Sequence, residues 1–499
     1  RQGVPLTTST NPKTNPADAG PDPRRWLILA VIAIAQLMIV VDASIVNIAL
    51  PKAQAALHIS NTNRQWVVTA YTLAFGGLLL LGGRIADYAG RKRMLIVGLL
   101  GFAAASALGG LAPDAAVLFT ARAVQGAFAA VMAPAALSLL NVTFTDARER
   151  AKAFGVYGSI AGGGLAIGLI GGGVLTQYFS WRWCLLVNTP IAILAALAAL
   201  RLITESRAET RGRYDLPGAI TSTLGLVSLV YGVTEAQPKG WASATTLGLL
   251  AAAAVLLTAF VFIERRSEHP LLPLRVITER NRAGAYLTSA LSGAGLFGMF
   301  LFLTYFLQGR TTMDFSPLRT GFAFLPFSVG VVASAMIASI LLPRLSPRWI
   351  MIAGLVMAGA GMLYFTQLHA HSSYWPDVFP AEVVMSLGLG LVFVPISSTA
   401  LFGITGNDSG VASAMINTTQ QVGGSIGTAL LNTVATSAAA SYVASHGIRT
   451  VTAATVHGYA VAYAVGASFL AAALVLTLVL VNARKEDVNQ GEEPAMAMG

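Results

Sequence analysis

Long apolar runs, each about the twenty residues a helix needs to span a bilayer, alternate along this chain with short polar or basic stretches. Fourteen such runs are read at roughly 26–50, 64–86, 94–112, 115–140, 152–175, 181–202, 215–234, 244–264, 284–307, 318–342, 348–368, 377–403, 411–433 and 456–482. The seventh holds several polar residues and the thirteenth is polar at its start. Backbone groups in hydrocarbon must be paired internally, which leaves helices or a closed barrel. Barrel strands alternate apolar and polar residues over about ten positions, and these runs are continuous. The pattern predicts an all-α integral membrane protein.

Composition agrees. Hydrophobic residues make up 55% of the 499 positions and charged residues 11%, against about 25% charged in soluble domains. The basic residues set the orientation. With the N-terminus in the cytoplasm, inside loops and tails hold 24 of the 32, among them Arg24, Arg25, Arg91, Lys92, Arg93, Arg148, Arg150, Lys152, Arg207, Arg211, Arg213, Arg265 and Arg266. Seven lie outside (Lys52, Arg64, Arg182, Lys239, Arg310, Arg319 and Arg449), and Arg122 falls inside a run. Both termini are therefore expected on the cytoplasmic side. The net charge of +10 then reports topology and attraction to anionic membrane lipids, with no basic soluble domain to bind nucleic acid. Residues 1–25 and 483–499 read as polar tails, and the first run is a full span, too long for the core of a cleavable signal.

An internal echo divides the chain. Ala129 to Pro134 in the fourth run, followed by Asp146, is matched by Gly390 to Pro395 in the twelfth, followed by Asp408. Arg84 to Arg93 has a degenerate counterpart in Pro343 to Arg348. Two six-helix bundles are predicted, 26–202 and 284–482, with two extra central transmembrane helices in the 203–283 linker. Repeat halves meeting around a midplane site are the architecture of secondary transporters.

Charge at membrane depth carries the chemistry. Asp42 lies in the first run and Arg122 in the fourth, roughly 12 Å and 10 Å from their outer ends at 1.5 Å per residue. A carboxylate there is costly and marks a functional site. The similar depths predict that the two couple, either as a structural pair or as a titrating acid biased by a guanidinium. In the loop Gly83 to Arg93, Asp87 and Arg91 stand four apart and can pair on a helical turn, while Gly83 and Gly90 permit close approach and a tight turn. The glycines of the fifth run, Gly164, Gly168 and Gly172 among them, serve either helix packing or a sliding contact between the halves. The aromatics of runs nine and ten, Tyr305 and Phe306 included, are packing residues or line a pocket for aromatic or cationic compounds. Asn417, Gln420 and Gln421 are polar at depth and are expected to face the interior. The lone Cys184 excludes an intrachain disulfide and reads as a packing thiol. The histidines form no metal constellation, and no nucleophile or phosphate-binding set points to an enzyme.

These motifs resemble the major facilitator superfamily, specifically its fourteen-helix drug:proton antiporters, across nearly all of 26–482. Asp42 to Pro51 looks like the first-helix motif, Gly83 to Arg93 the superfamily signature loop, and Arg122 to Gly126 the fourth-helix motif. Gly164 to Gly173 resembles the fifth-helix antiporter motif, and Asn417 to Gly427 a thirteenth-helix motif. The chain departs from the pattern at Leu169, where a proline is usual, and at Gln420, where arginine is common. The tenth run has no interior acid of the kind some relatives use for divalent cations; Glu235 and Glu382, nearer the ends of other runs, stand as substitutes or as interfacial residues.

The resemblance implies alternating access in a bacterial cytoplasmic membrane, with a monomer exporting amphipathic drugs as protons enter and no cofactor beyond the gradient. Asp42 would carry the proton and Arg122 modulate it. Asp87 and Arg91, with Gly83 and Gly90, would latch the inward-closed form. Asn47, Tyr71, Gln125, Tyr305, Phe306, Asn417 and Gln421 are the expected substrate contacts. Export or flipping of an endogenous lipid or cell-envelope precursor is the alternative on the same fold.

Overall fold

The computed structural model describes residues 24–144, 146–207, 215–268, 270–404 and 409–482. Both tails, Asp408, Arg211 and Arg213 lie outside those residues. Each of the fourteen expected runs falls on helix, and no strand occurs among the described residues.

In chain order the membrane helices are α1 (Arg25–Ala56), α2 (Trp66–Ala89), α3 (Arg91–Gly110), α4 (Ala115–Thr143), α5 (Ala147–Tyr178), α6 (Trp183–Leu202) and α7 (Leu216–Lys239). They continue as α8 (Ala244–Arg266), α9 (Arg280–Gln308), α10 (Pro317–Leu341), α11 (Pro347–Gln367), α12 (Tyr374–Leu401), α13 (Ser409–His446) and α14 (Val451–Leu480). Thirteen are long and apolar enough to cross a membrane among the described residues. The other is α13, whose Asn417, Thr418, Thr419, Gln420 and Gln421 dilute its hydropathy. Its 38 residues extend well past the roughly 20 that a bilayer requires.

Several helices overrun the apolar runs. α1 continues through Pro51 to Ala56, and α5 begins at Ala147, capped by the Asp146 carboxylate, which accepts from Arg148 N and Glu149 N. Apolarity marks the hydrocarbon, whereas a helix stops where its caps are. At the inner face Arg25 pairs with Glu149 at 2.7 Å, tying α1 to α5.

Within residues 26–202, α4 packs on α2 and α3, α1 on α5, and α3 on α6; the same pairings recur between α12 and α10, α12 and α11, α9 and α13, and α11 and α14. The internal echo in the sequence thus has a counterpart in packing. The bundles meet along two seams that the repeat relates to each other, α2 against α13 and α5 against α10. α7 lies against both α2 and α13, and α8 packs on α7.

Candidate functional site

Asp42 and Arg122 are both sealed from the surroundings, at 0% and 1% exposed, and Arg122 Nη1 donates to Asp42 Oδ2 at 2.6 Å. The other carboxylate oxygen, Oδ1, accepts from Gln125 Nε2 at 2.6 Å and from Asn188 Nδ2 at 2.9 Å. Gln125 also accepts from Arg122 Nη1 at 2.7 Å through its own carbonyl, and its amide donates to Ser106 Oγ at 2.8 Å. Arg122 Nε donates to the Val67 carbonyl at 2.9 Å, and its guanidinium lies 4.4 Å from the centre of the Tyr71 ring. One residue from each of α1, α3 and α6, two from α4 and two from α2 therefore form a cage around one carboxylate.

The cage depends on close helix approach. A Cβ on Gly126, one turn below Arg122, would lie 2.3 Å from the Tyr71 carbonyl oxygen, so only glycine lets α4 come near enough to α2 for Arg122 to reach Val67. Every neighbour of Asp42 presents a hydrogen to it. Such charge-assisted bonds are short and strong, and the arrangement is built to hold an anion.

Sequence reasoning found Asp42, Arg122, Gln125 and Tyr71 but missed Ser106 and Asn188. Serine and asparagine in a membrane helix have many bland uses, so composition alone does not single them out. Asn188 has one local signal: it opens the longer segment of α6, just after the helix breaks at Val187. Gln125, expected to touch substrate, is instead committed to the cage by its bonds to three partners.

The other expected substrate contacts do not converge. Asn47 is buried and donates to the Ala43 carbonyl in its own helix at 3.0 Å. Phe306 is 1% exposed and packs within the apolar core. Asn417 is exposed, whereas Gln421 sits in the α2–α13 seam, where its Cβ would come within 2.9 Å of a Cβ on Gly76. Tyr305 lies under a buried arginine: the Arg64 guanidinium is 4.0 Å from its ring centre. Depth along a helix does not fix rotation about its axis, and that rotation separates these residues.

Arg64 belongs to a seal across the outer ends of the bundles. Its Nε donates to Asn432 Oδ1 at 3.2 Å, and Asn432 Nδ2 donates to Gln65 Oε1 at 2.8 Å. Thr72 and Ser425 hydroxyls meet at 2.7 Å, Gln308 Nε2 donates to the Ile48 carbonyl at 2.9 Å, and Leu318 N donates to Gln177 Oε1 at 3.2 Å. All of these bonds join one bundle to the other on the outer side, so the outer face is closed.

On the cytoplasmic side, Arg91 Nη2 and Asp87 Oδ1 pair at 2.9 Å, a bond within one bundle that joins the end of α2 to the start of α3. Gly90 between them has φ +116°, a conformation costly for any residue with a Cβ. Gly83 approaches α4, where a Cβ would lie 3.5 Å from the Pro134 ring. A partner that the sequence did not reveal is Glu205, after α6, whose carboxylate accepts from Lys92 N and Arg93 N, both at 3.1 Å, at the start of α3. Arg84 reaches the linker, donating to the Pro270 carbonyl at 3.0 Å.

The glycine stripe of α5 faces α1, not the opposite bundle. Cβ atoms on Gly164, Gly168 and Gly172 would meet Val40, Ser44 and Ile45 at 2.9, 1.9 and 2.9 Å. Contact between halves falls one face over: a Cβ on Gly173 would lie 2.7 Å from Leu318, and one on Gly321 would lie 2.5 Å from the carbonyl oxygen of Leu169. Glu235 pairs with Lys239 at 2.7 Å near the outer end of α7. Cys184 is buried beside Thr176.

The model of the Major Facilitator Superfamily matches residues 32–428. The chain is 49% identical over 487 residues to a puromycin resistance protein of Streptomyces alboniger, covering 97% of this chain and 96% of that one. It is 37% identical over 421 residues to a lincomycin resistance protein of Streptomyces lincolnensis, covering 84% and 86%. Among solved structures, a bacterial homolog of the human lysosomal transporter Spinster, in an inward-facing and occupied conformation, superposes with a TM-score of 0.66 at 14% identity, over 94% of this chain and 99% of that one. The shared architecture, the length of the family match and the near-complete alignment to resistance proteins lead to one assignment: the chain belongs to the major facilitator superfamily.

Proposed function

We propose that the protein exports an antibiotic or similar amphipathic compound from a bacterial cell in exchange for protons, working as a monomer in the lipid bilayer by alternating access. Relatives named for resistance to puromycin and lincomycin support the substrate class. The observation that carries proton exchange is the Asp42 cage, in which all three hydrogen bonds to the carboxylate come from donors, one of them the Arg122 guanidinium.

A proton added to Asp42 would cancel the negative charge to which Arg122, Gln125 and Asn188 all donate. The bond from Arg122 would then lose the charge assistance that makes it strong, so binding a proton loosens Arg122. Arg122 holds the Val67 carbonyl of α2, and five residues further along α2 Thr72 bonds Ser425 across the seam to α13. Loosening at Asp42 is thereby transmitted to the contact between the bundles. The proton gradient drives this cycle without a cofactor.

The test is transport of puromycin in proteoliposomes under an imposed pH gradient, comparing the wild-type protein with Asp42→Asn. Gradient-driven accumulation should vanish in the variant while exchange of substrate at equal pH survives. Equal accumulation by both proteins would remove Asp42 from proton coupling. Absence of transport by a folded wild-type protein would turn attention to an endogenous lipid or cell-envelope precursor.

A further inference from the structure

The opposite bundle holds a second sealed acid, in a setting unlike that of Asp42. Glu382 lies eight residues into α12, roughly 12 Å along the helix, and is 0% exposed. Among the described residues it forms no ion pair, and its Oε1 has no hydrogen-bond partner. Its Oε2 lies 3.2 Å from the hydroxyl of Tyr374. That same hydroxyl lies 2.7 Å from the backbone carbonyl of Ala323.

A phenol has a single hydrogen to donate. The Ala323 carbonyl can only accept, and its contact is the shorter of the two. With the tyrosine hydrogen on Ala323, the contact to Glu382 is favourable only when the carboxyl is protonated and donates to the tyrosine oxygen. An ionised carboxylate would meet a lone pair there and would stand without a cation in an apolar site, where an unpaired charge is very costly.

No charged group facing it changes that reading. The α10 segment Leu325–Leu341, which packs on α12, contains no ionisable side chain. From the start of α12 come Tyr374 and Asp377, the latter accepting from Ser373 N. From α11, Tyr364 donates to the Pro376 carbonyl. From α9, Tyr305 lies beneath Arg64. From α14, Tyr463 is buried with an unpartnered hydroxyl, and Tyr459 bonds Arg64. At the outer end of α13 stand Tyr442 and His446, stacked on each other. On the outer segment of α10, Arg319 stacks on Phe315, 3.8 Å from the ring centre.

Ala323 is the last residue of that outer segment, Pro317–Ala323. Phe324 separates it from Leu325–Leu341, whose second residue, Pro326, lacks an N–H for the preceding turn. The same short segment closes the outer face, with Leu318 against Gly173 and Gln177, and Gly321 against the Leu169 carbonyl. A sealed acid is thus connected, through one hydroxyl, to the piece of α10 that shuts the outer seam.

We propose that Glu382 is a second proton-binding site of the transporter, and that its protonated form holds the outer gate closed through Tyr374 and Ala323. The outer aqueous phase supplies the proton. On its loss to the cytoplasmic aqueous phase the tyrosine hydrogen turns to the carboxylate, the Ala323 carbonyl is released, and the outer segment of α10 can leave α5. The idea rests on the proton-exchange reading only for its place in the cycle. Its test reads gate closure and protonation, not transport, so either reading can fail alone.

The experiment uses the full chain in lipid nanodiscs, with Gln177→Cys and Leu318→Cys joined by a short thiol cross-linker; buried Cys184 is left in place. It is run in the wild-type and Asp42→Asn backgrounds, so that a response surviving the second belongs elsewhere than Asp42. Cross-linking should be high at acid pH and fall as pH rises. Glu382→Gln, whose amide can donate to Tyr374 as the protonated acid does, should keep it high at every pH. Tyr374→Phe should lower it at every pH. Infrared spectra should contain a protonated-carboxyl band that Glu382→Gln removes and Asp42→Asn retains. A pH response of closure unchanged by Glu382→Gln, or a carboxyl band untouched by it, overturns the proposal. Should Glu382→Gln fail to fold, closure in Tyr374→Phe equal to wild type overturns it instead.

Discussion

Replacing Arg122 by methionine removes the guanidinium while keeping an unbranched chain of similar reach. The bonds lost are those to Asp42 at 2.6 Å, Gln125 at 2.7 Å and the Val67 carbonyl at 2.9 Å, with the stacking on Tyr71. Left behind are a buried carboxylate with only two amide donors and one orphaned acceptor, the Gln125 side-chain carbonyl, while the Val67 carbonyl keeps only its helical bond. Removing one partner of a buried pair costs about 3–5 kcal/mol, because the other charge is left uncompensated. Asp42→Asn should cost a similar amount by stranding Arg122. The double variant buries no charge at this site. Its remaining loss comes from the polar groups around the site that Arg122 no longer bonds, the Gln125 carbonyl first among them, at about 1–3 kcal/mol per buried unsatisfied group. The two effects should therefore fall short of additivity by about 3 kcal/mol or more. The assay is reversible unfolding in mixed micelles titrated with a denaturing detergent, followed by tryptophan fluorescence, for all four corners of the cycle. Additivity within about 0.5 kcal/mol, the behaviour of independent sites, would refute the cage as an energetic unit.

Two further expectations follow from close contacts. Gly321→Ala places a methyl 2.5 Å from the Leu169 carbonyl oxygen, a backbone atom that cannot swing aside; overpacking of this kind costs about 1–3 kcal/mol. Cross-linking between cysteines at 177 and 318 should drop, whereas Gly171→Ala on α5, with nothing within 4 Å, should leave it alone; equal effects of the two would contradict the seam. Glu205→Ala removes the carboxylate that caps α3 at Lys92 and Arg93, at about 0.5–2 kcal/mol for a lost N-terminal cap. Amide hydrogen exchange at those two positions should speed up, and unchanged exchange would show that the cap is dispensable.

The membrane fold is readable in the chain because lipid imposes a one-dimensional rule. A span must be apolar for about twenty residues, and arginine distribution sets its direction, so helices and orientation follow without knowledge of contacts. The rule weakens at α13, where Gln421 of the polar stretch lies in the seam with α2, and at helix ends, where Pro51 ends an apolar run but not α1. The candidate site was half legible. Asp42 and Arg122 stand out because charge in hydrocarbon is rare, but Ser106, Asn188 and Glu205 carry no such mark. The expected substrate residues share depth without sharing a face, which is why they scatter to the core, the seam and the surface.

By itself the sequence determined that the chain is helical, how often it crosses the membrane, which ends face the cytoplasm, and that an acid and an arginine lie at like depth. Only the tertiary structure decided that the acid is caged by donors from α4 and α6, and that Gly164, Gly168 and Gly172 of α5 face α1 while Leu169 meets Gly321. It alone showed that Glu382, an ordinary acid near a helix start in the sequence, is sealed beside a tyrosine bonded to the Ala323 carbonyl of α10. The physical reason is the range of the forces. Transfer of a segment into lipid is summed locally along the chain, whereas hydrogen-bond partners and helix rotation are settled by residues tens to hundreds of positions away.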